Sequence, residues 1–528
     1  MPSAKDDLDR FRRAYERRML WDGLLRDGYR YAGPELDSGF QGYSSPGVER
    51  GGGIYDDTAR IAAEDYARFL HVNLFPPQSR FFKAAVAPAA QALNRSYDNA
   101  QIQTGLDAVT DEFFRQLNAS YFHANVEAFL QQTTISLGAM VFNPAPRGLP
   151  TMFDIQVVPL AEVYPERSID PRRRTSYRMR MFPCGLIAQA WPDADIPDEL
   201  TKLIKKNPAD EVKIVEGYVY QHDKRNFRYF VLWASDDPVH LLENEQRTSG
   251  LILAGGYRAP GEEFARGAVL ACLNDIRTLN KGVELILKGA SIDIAGIWMA
   301  DDDGVLDIDK VKLVPGTVLP IAKDSRGLQR LESGANFRIG ELQMERLRRQ
   351  VRYTIMRREP QALDKSHVTE EAILREAREV EALRSGGVFN LWFEFVSQFF
   401  PRGVDILARS GAAPDILASI DEGIELQAAA PWLRLQMLND FAIERQAYFM
   451  VAETGPETID KAIDKVGWQA SGLLRAGFPA DRILTDDELQ ANAEQERSQQ
   501  AALMAAQAAG QAAPMVKELR ASQQSEVV

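Results

Sequence analysis

The sequence predicts an α+β fold that is mostly helical. Three observations carry that expectation: apolar residues at helical spacing through most of the first 137 positions, short β-branched and aromatic runs between Met152 and about Ala254, and a return of helical spacing after Pro260. With 528 residues, 45% hydrophobic and 26% charged, the chain can bury several cores, so roughly two to four structural regions are expected.

From Asp6 to Tyr31, Leu8, Phe11, Tyr15 and Met19 fall at helical spacing with Asp6 and Asp7 at the positive end of the dipole, which predicts an amphipathic helix. Gly33-Pro34, Gly39, Gly42, Ser44-Ser45-Pro46-Gly47 and Gly51-Gly52-Gly53 predict a loop. A helix is expected from about Asp56 to Leu74, stopped by Pro76-Pro77. Others are expected over Leu106 to Leu117 and Ala119 to Leu137, the latter with Phe122, Val126, Phe129, Leu130 and Thr133 on one side.

In the β-rich stretch, the runs Val212 to Tyr220 and Phe227 to Trp233 flank the polar His222 to Asn226 and predict an antiparallel hairpin. Beyond Pro260, one helix is expected from Gly261 to about Lys288, short strands and turns from Ile292 to Phe337, and a second helix from Arg338 to Arg358 with a Leu347, Val351, Ile355 stripe. Met356 to His367 is polar and broken by Pro360. Thr369 then caps a long helix with Gly386-Gly387 near its middle, where a kink is expected, and Pro401 near its end. Helices continue to Phe478, Thr485-Asp-Asp-Glu488 forms a capping box, and an Ala/Gln-rich end from about Ala501 is expected to lack order.

No apolar run approaches the ~20 residues a membrane helix needs. The start, Met1-Pro-Ser-Ala-Lys-Asp-Asp, is acidic where a signal peptide would be basic and then apolar, so the chain is expected to stay in the cytoplasm where it is made. A net charge of -13 argues against tight, static nucleic-acid binding, which relies on many cations, and leaves room for passing contact through a few placed ones. Cys184 and Cys272 are too few for a disulfide framework and lack CxxC spacing, so both read as small buried apolar residues.

Catalytic signatures are missing. There is no GxxxxGK[ST], and Gly51-Gly52-Gly53 does not sit between strand and helix in a GxGxxG pattern, so no phosphate cradle is expected. His71, His123, His222, His240 and His367 show no metal-ligand spacing, and Gly42-Tyr-Ser-Ser-Pro lacks the second glycine of a nucleophile elbow. Asp301-Asp302-Asp303-Gly304 fails as a calcium loop, because the register puts Met299 first and Lys310 last. Glu262 and Glu263 would point about 100° apart on a helix, and they read as its N-terminal turn rather than as acid/base machinery. No enzyme, cofactor or metal is therefore expected.

Four segments carry a resemblance. The first is Tyr55-Asp-Asp-Thr-Ala-Arg60 through Phe69 to Leu74-Phe75-Pro76-Pro77 and Phe81-Phe82-Lys83. The second is Arg258-Ala-Pro260-Gly261-Glu262-Glu263-Phe264-Ala265-Arg266-Gly267. The third runs from Arg357-Arg358 through His367-Val-Thr369-Glu370-Glu371-Ala-Ile373 into the Gly386-Gly387 helix. The fourth is Gly477-Phe478, Ile483-Leu-Thr485-Asp-Asp-Glu488 and the Gln/Ala-rich tail. In this order they resemble podovirus-type bacteriophage portal proteins, the head-to-tail connectors, over nearly the whole chain. The second segment departs from the family element, with Ala265 for glycine and Gly267 for serine.

The resemblance implies a ring of twelve subunits at one capsid vertex. A terminase motor drives double-stranded DNA through it, the genome leaves by it, and tail adaptor, capsid and scaffolding proteins dock on it. On this sequence it implies a wing at 1–260 and again at 369–424, stem helices at 261–290 and 338–358, a clip at 291–337, a tunnel loop at 359–368, a crown at 425–490 and a tail from 491. Arg357, Arg358 and Lys365 become candidate contacts for passing DNA, with Arg346 and Arg349 on the second stem helix. The cluster Arg346, Arg348, Arg349 and Arg352 also reads as the solvated face of a plain helical hairpin. The implied location is the virion, with assembly in the host cytoplasm and no membrane insertion. The alternative reading is another virion structural protein, such as a tail adaptor or internal core protein; a hydrolase using unrecognised carboxylates is a distant third.

Overall fold

The computed structural model describes residues 2–36, 39–40, 50–86, 99–146, 148–295, 298–299, 329–330, 337–356, 370–414, 424–428, 444–446, 448 and 468. The chain divides into two units, Met1–Ala430 and Pro431–Val528. Within the second, Tyr448 stacks on Trp468 at 5.3 Å; the first carries everything below.

Helix α1 (Ala4–Ala32) opens with a capping box in which Ser3 Oγ accepts from the Asp6 N–H and the Asp6 carboxylate accepts from the Ser3 N–H. Its first half buries Leu8, Phe11 and Ala14 against a sheet, and its second half buries Leu25, Tyr29 and Ala32 in the main core. Met19, part of the expected stripe, is 54% exposed. It stands about 100° round the helix from Arg18, which is buried instead. Helices α2 (Thr58–Leu74), α3 (Asn99–Asn118) and α4 (Phe122–Ile135) follow, and Phe122, Val126, Phe129, Leu130 and Thr133 of α4 are all buried as the spacing predicts. A shorter helix, α5 (Asp198–Lys206), lies within the β-rich region.

Strand β1 (Phe82–Val86) pairs with the distant β12 (Ile424–Ala428). Strands β2 (Gly138–Pro144), β3 (Phe153–Val157) and β9 (Leu251–Ala254) form an antiparallel sheet in the order β3-β2-β9. The larger sheet is an antiparallel meander of β4 (Val163–Pro165), β5 (Ser176–Pro183), β6 (Glu211–Gln221), β7 (Asn226–Trp233) and β8 (Val239–Gln246). The expected hairpin is its β6-β7 pair. Alternate residues serve two cores: Val215, Val219, Phe230 and Leu232 meet α1, while Ile214, Tyr218, Val231 and Trp233 face the main core. At the cross-strand pair Gly217↔Phe230 a Cβ would sit 2.3 Å from the Phe230 ring, so the glycine makes room for it.

After β9 the structure differs from the expected single helix beginning at Gly261. Gly261 adopts φ +91 in a turn closed by the Glu262 N–H on the Ala259 carbonyl, residues 262–267 are irregular, one helical turn spans Ala268–Ala271, and the long helix α6 runs Leu273–Ala295. Glu262 and Glu263 therefore precede the helix rather than form its first turn. Of the segment that follows, Trp298–Met299 (β10) pairs with Gln329–Arg330 (β11); the Asp301–Gly304 run lies outside the described residues. Helix α7 (Phe337–Met356) buries Val351 and Ile355 and packs Leu347 on the core, as the stripe predicts. Helix α8 (Glu370–Ser410) is continuous through Gly386-Gly387 and Pro401. Thr369, the expected cap, lies outside the described residues, as do 477–488 and the C-terminal end.

Candidate functional site

Helices α6 and α7 pack side by side, with Gly282 close enough to Met344 that a Cβ would lie 2.5 Å from its sulfur. Gln350 Nε2 adds a 3.0 Å bond to Asp275 between the two helices. The four-arginine cluster on α7 divides by face. Arg348 points inward, where its Nε donates to Asp56 Oδ2 at 2.8 Å, and that bond raises the guanidinium pKa further. Arg346 and Arg349 point outward, exposed and without an ion-pair partner among the described residues. They share their face with Leu342, 72% exposed, and Tyr353, 46% exposed, at i, i+4, i+7 and i+11. Arg357, Arg358 and Lys365 lie outside the described residues.

The first motif bonds both helices of this pair. Asp56 Oδ1 accepts from the Thr58 N–H at the start of α2, while its other oxygen holds Arg348. The Tyr55 N–H donates to Asn280 Oδ1 at 2.7 Å, and Asn280 Nδ2 donates to the Gly53 carbonyl at 3.1 Å. One short segment therefore bonds both α6 and α7. Downstream, Phe75, Phe81 and Phe82 enter an aromatic core with Phe113, Phe122, Phe395, Phe399 and Phe400, whose contacts join α8 to α3 edge-to-face and to α4 at a tilt.

The second motif holds α8 by charge. Arg258 donates to both carboxylate oxygens of Glu394, at 2.8 and 3.1 Å, and the Gly255 N–H adds a third bond at 3.1 Å. Arg174 lies 4.0 Å from the same carboxylate; burial, and then the charge of Arg258, push its pKa down to about 10. Two cations thus share one anion. Phe264 packs on Trp21, and Gly267 fits where no side chain could, since a Cβ would lie 2.1 Å from the Thr134 carbonyl oxygen.

Sequence reasoning missed two further ties. Arg402, buried and with its pKa lowered by desolvation, donates to the Phe142 carbonyl at 2.9 Å and to Gln246 at 3.1 Å. Its signal was the charged pair Arg402 and Asp405 inside an apolar helical run. Asp7 accepts from Arg228 and from His240, fastening α1 to β7 and β8. His71 and His123 meet at 3.4 Å between α2 and α4, His222 lies edge-on to Tyr220, and His367 is outside the described residues. Cys184 and Cys272 are buried and unbridged, as expected. Among the described residues no three or more His, Cys, Asp or Glu side chains are placed to hold a metal ion, and no helix is long and apolar enough to cross a membrane.

In the described parts of the first two motifs, Tyr55, Asp56 and Arg258 each fasten one element to another. A family model for the bacteriophage head to tail connecting protein matches residues 4–484, and the chain belongs to that family. It is accordingly a portal-type structural component of a phage virion, assembling with other phage head and tail proteins. No curated protein matches the chain.

Proposed function

We propose that the chain is the portal subunit of a podovirus-type phage. Twelve copies close into a ring at one capsid vertex, double-stranded DNA enters and leaves through its channel, and the terminase motor and tail adaptor proteins dock on it. Assembly takes place in the host cytoplasm. The observation that carries this reading is the α6-α7 pair: held by Tyr55 on Asn280 and Asp56 on Arg348, it leaves Leu342, Arg346, Arg349 and Tyr353 exposed along one face of α7. Exposed Tyr and Arg beside apolar area favour burial against another protein, and identical heterologous contacts close into a ring at a fixed rotation.

In this reading α6 and α7 are the stem helices, residues 291–337 the clip, 359–368 the tunnel loop and the region after 425 the crown. Arg357, Arg358 and Lys365 then touch passing DNA, each cation repeated around the ring so that weak, screened attractions add along the phosphate backbone. Replacing these three with Ala together should leave ring assembly intact and reduce DNA packaging or retention. Unchanged packaging and retention would refute the DNA contact.

A further inference from the structure

A cleft of about 480 Å³ lies between α1 and the segments containing Gly39-Phe40 and Gly52, lined by Arg18, Asp22, Arg26, Asp27 and Arg30. Its charges do not cancel. Arg18 is satisfied by Asp22 at 2.7 Å and by the carbonyls of Leu160, Ala161 and Val163, and Asp27 is paired with Arg277. Arg26 and Arg30 remain. They are four residues apart on one face of α1, where like charges destabilise a helix. Arg26 Nε donates to the Phe40 carbonyl at 2.9 Å, and Arg30 makes a long 3.5 Å contact to the Gly52 carbonyl and lies over the Tyr31 ring at 5.6 Å; neither meets a carboxylate among the described residues. Each guanidinium is thus placed but not neutralised by a carboxylate among the described residues.

We propose that Arg26 and Arg30 form a binding site for one phosphate group. Two guanidinium forks match a tetrahedral dianion in geometry and in charge, whereas a carboxylate would neutralise only one of them. The glycine triplet contributes space: at Gly53, φ +83, a Cβ would stand 2.9 Å from Arg30 Nη2. The phosphate can come from free phosphate or from the DNA backbone, and this site does not depend on the ring.

The test titrates inorganic phosphate into the full-length protein by calorimetry at constant ionic strength set with chloride. Saturable binding that weakens about tenfold or more in Arg26→Gln/Arg30→Gln is expected, on the scale of a lost charge-assisted pair. Binding that fails to saturate, or that the double variant leaves unchanged, overturns the site. Should the variant not fold, phosphate should still slow phenylglyoxal modification of Arg26 and Arg30 in the unaltered chain, read by peptide mass spectrometry; no protection overturns it equally. A short DNA duplex that competes with phosphate assigns the backbone as the source, and one that does not compete assigns the free anion.

Discussion

Replacing Glu394 with Ala would strand two guanidinium groups in the interior. The carboxylate takes two bonds from Arg258 and one from Gly255, with Arg174 at 4.0 Å, and the Glu394, Arg258 and Arg174 side chains are 12%, 22% and 5% exposed. Breaking a buried pair costs about 3–5 kcal/mol, because the remaining charge keeps its desolvation without its partner. The partial exposure of Arg258 puts the expectation for Glu394→Ala near the lower end, about 3 kcal/mol. Glu394→Gln keeps the shape and one acceptor but not the charge, and should cost about 2 kcal/mol. Glu127→Ala serves as control: its carboxylate is 43% exposed, and a surface pair should change stability by less than about 0.5 kcal/mol. The assay is urea unfolding followed by tryptophan fluorescence, with circular dichroism as a second probe to test for a single transition. A Glu394→Ala midpoint indistinguishable from the Glu127→Ala control would refute the reasoning that one shared carboxylate holds α8 to the 255–258 segment.

Two other expectations concern packing and pH. Gly267→Ser should yield mostly insoluble or thermally weakened protein, because its Cβ would meet the Thr134 carbonyl oxygen; a melting temperature equal to that of the unaltered chain would contradict the contact. Burial lowers the pKa of His71, partly opposed by Glu127, which is itself paired with Arg68; burial and then the charge of His71 lower that of His123. The folded protein therefore binds fewer protons here than the unfolded chain, whose histidines titrate near ~6.5. Stability from this pair is present above that pH and is lost as pH falls below it. Thermal melts between neutral pH and mild acid should show a shallower acid loss in His71→Gln/His123→Gln, and identical slopes would contradict it.

Much of the helical framework was legible because one face of each helix meets a core: Phe122, Val126, Phe129 and Leu130 announce α4, and Val351 and Ile355 announce α7. The β6-β7 hairpin was legible from its two β-rich runs and polar turn. Strand β2 was not, since Gly138 to Phe142 is buried throughout and shows no alternation. The start of α6 was misplaced because Pro260-Gly-Glu-Glu has the composition of a helix N-terminus, while the close approach of Gly267 to Thr134 just before the helical turn is a tertiary contact. The candidate site was legible only as a cluster. That Arg348 separates from Arg346 and Arg349 depends on Asp56, 292 positions away in sequence. Glu394 likewise finds its partners through the fold, and no local pattern marks it.

The central claim is that this connector-family chain closes into a ring through contacts that include the exposed face of α7. Native mass spectrometry of the purified protein, without DNA or nucleotide, tests it most directly. The account predicts a closed cyclic oligomer of about a dozen copies; a spectrum showing only monomer across micromolar concentrations and moderate salt would contradict it.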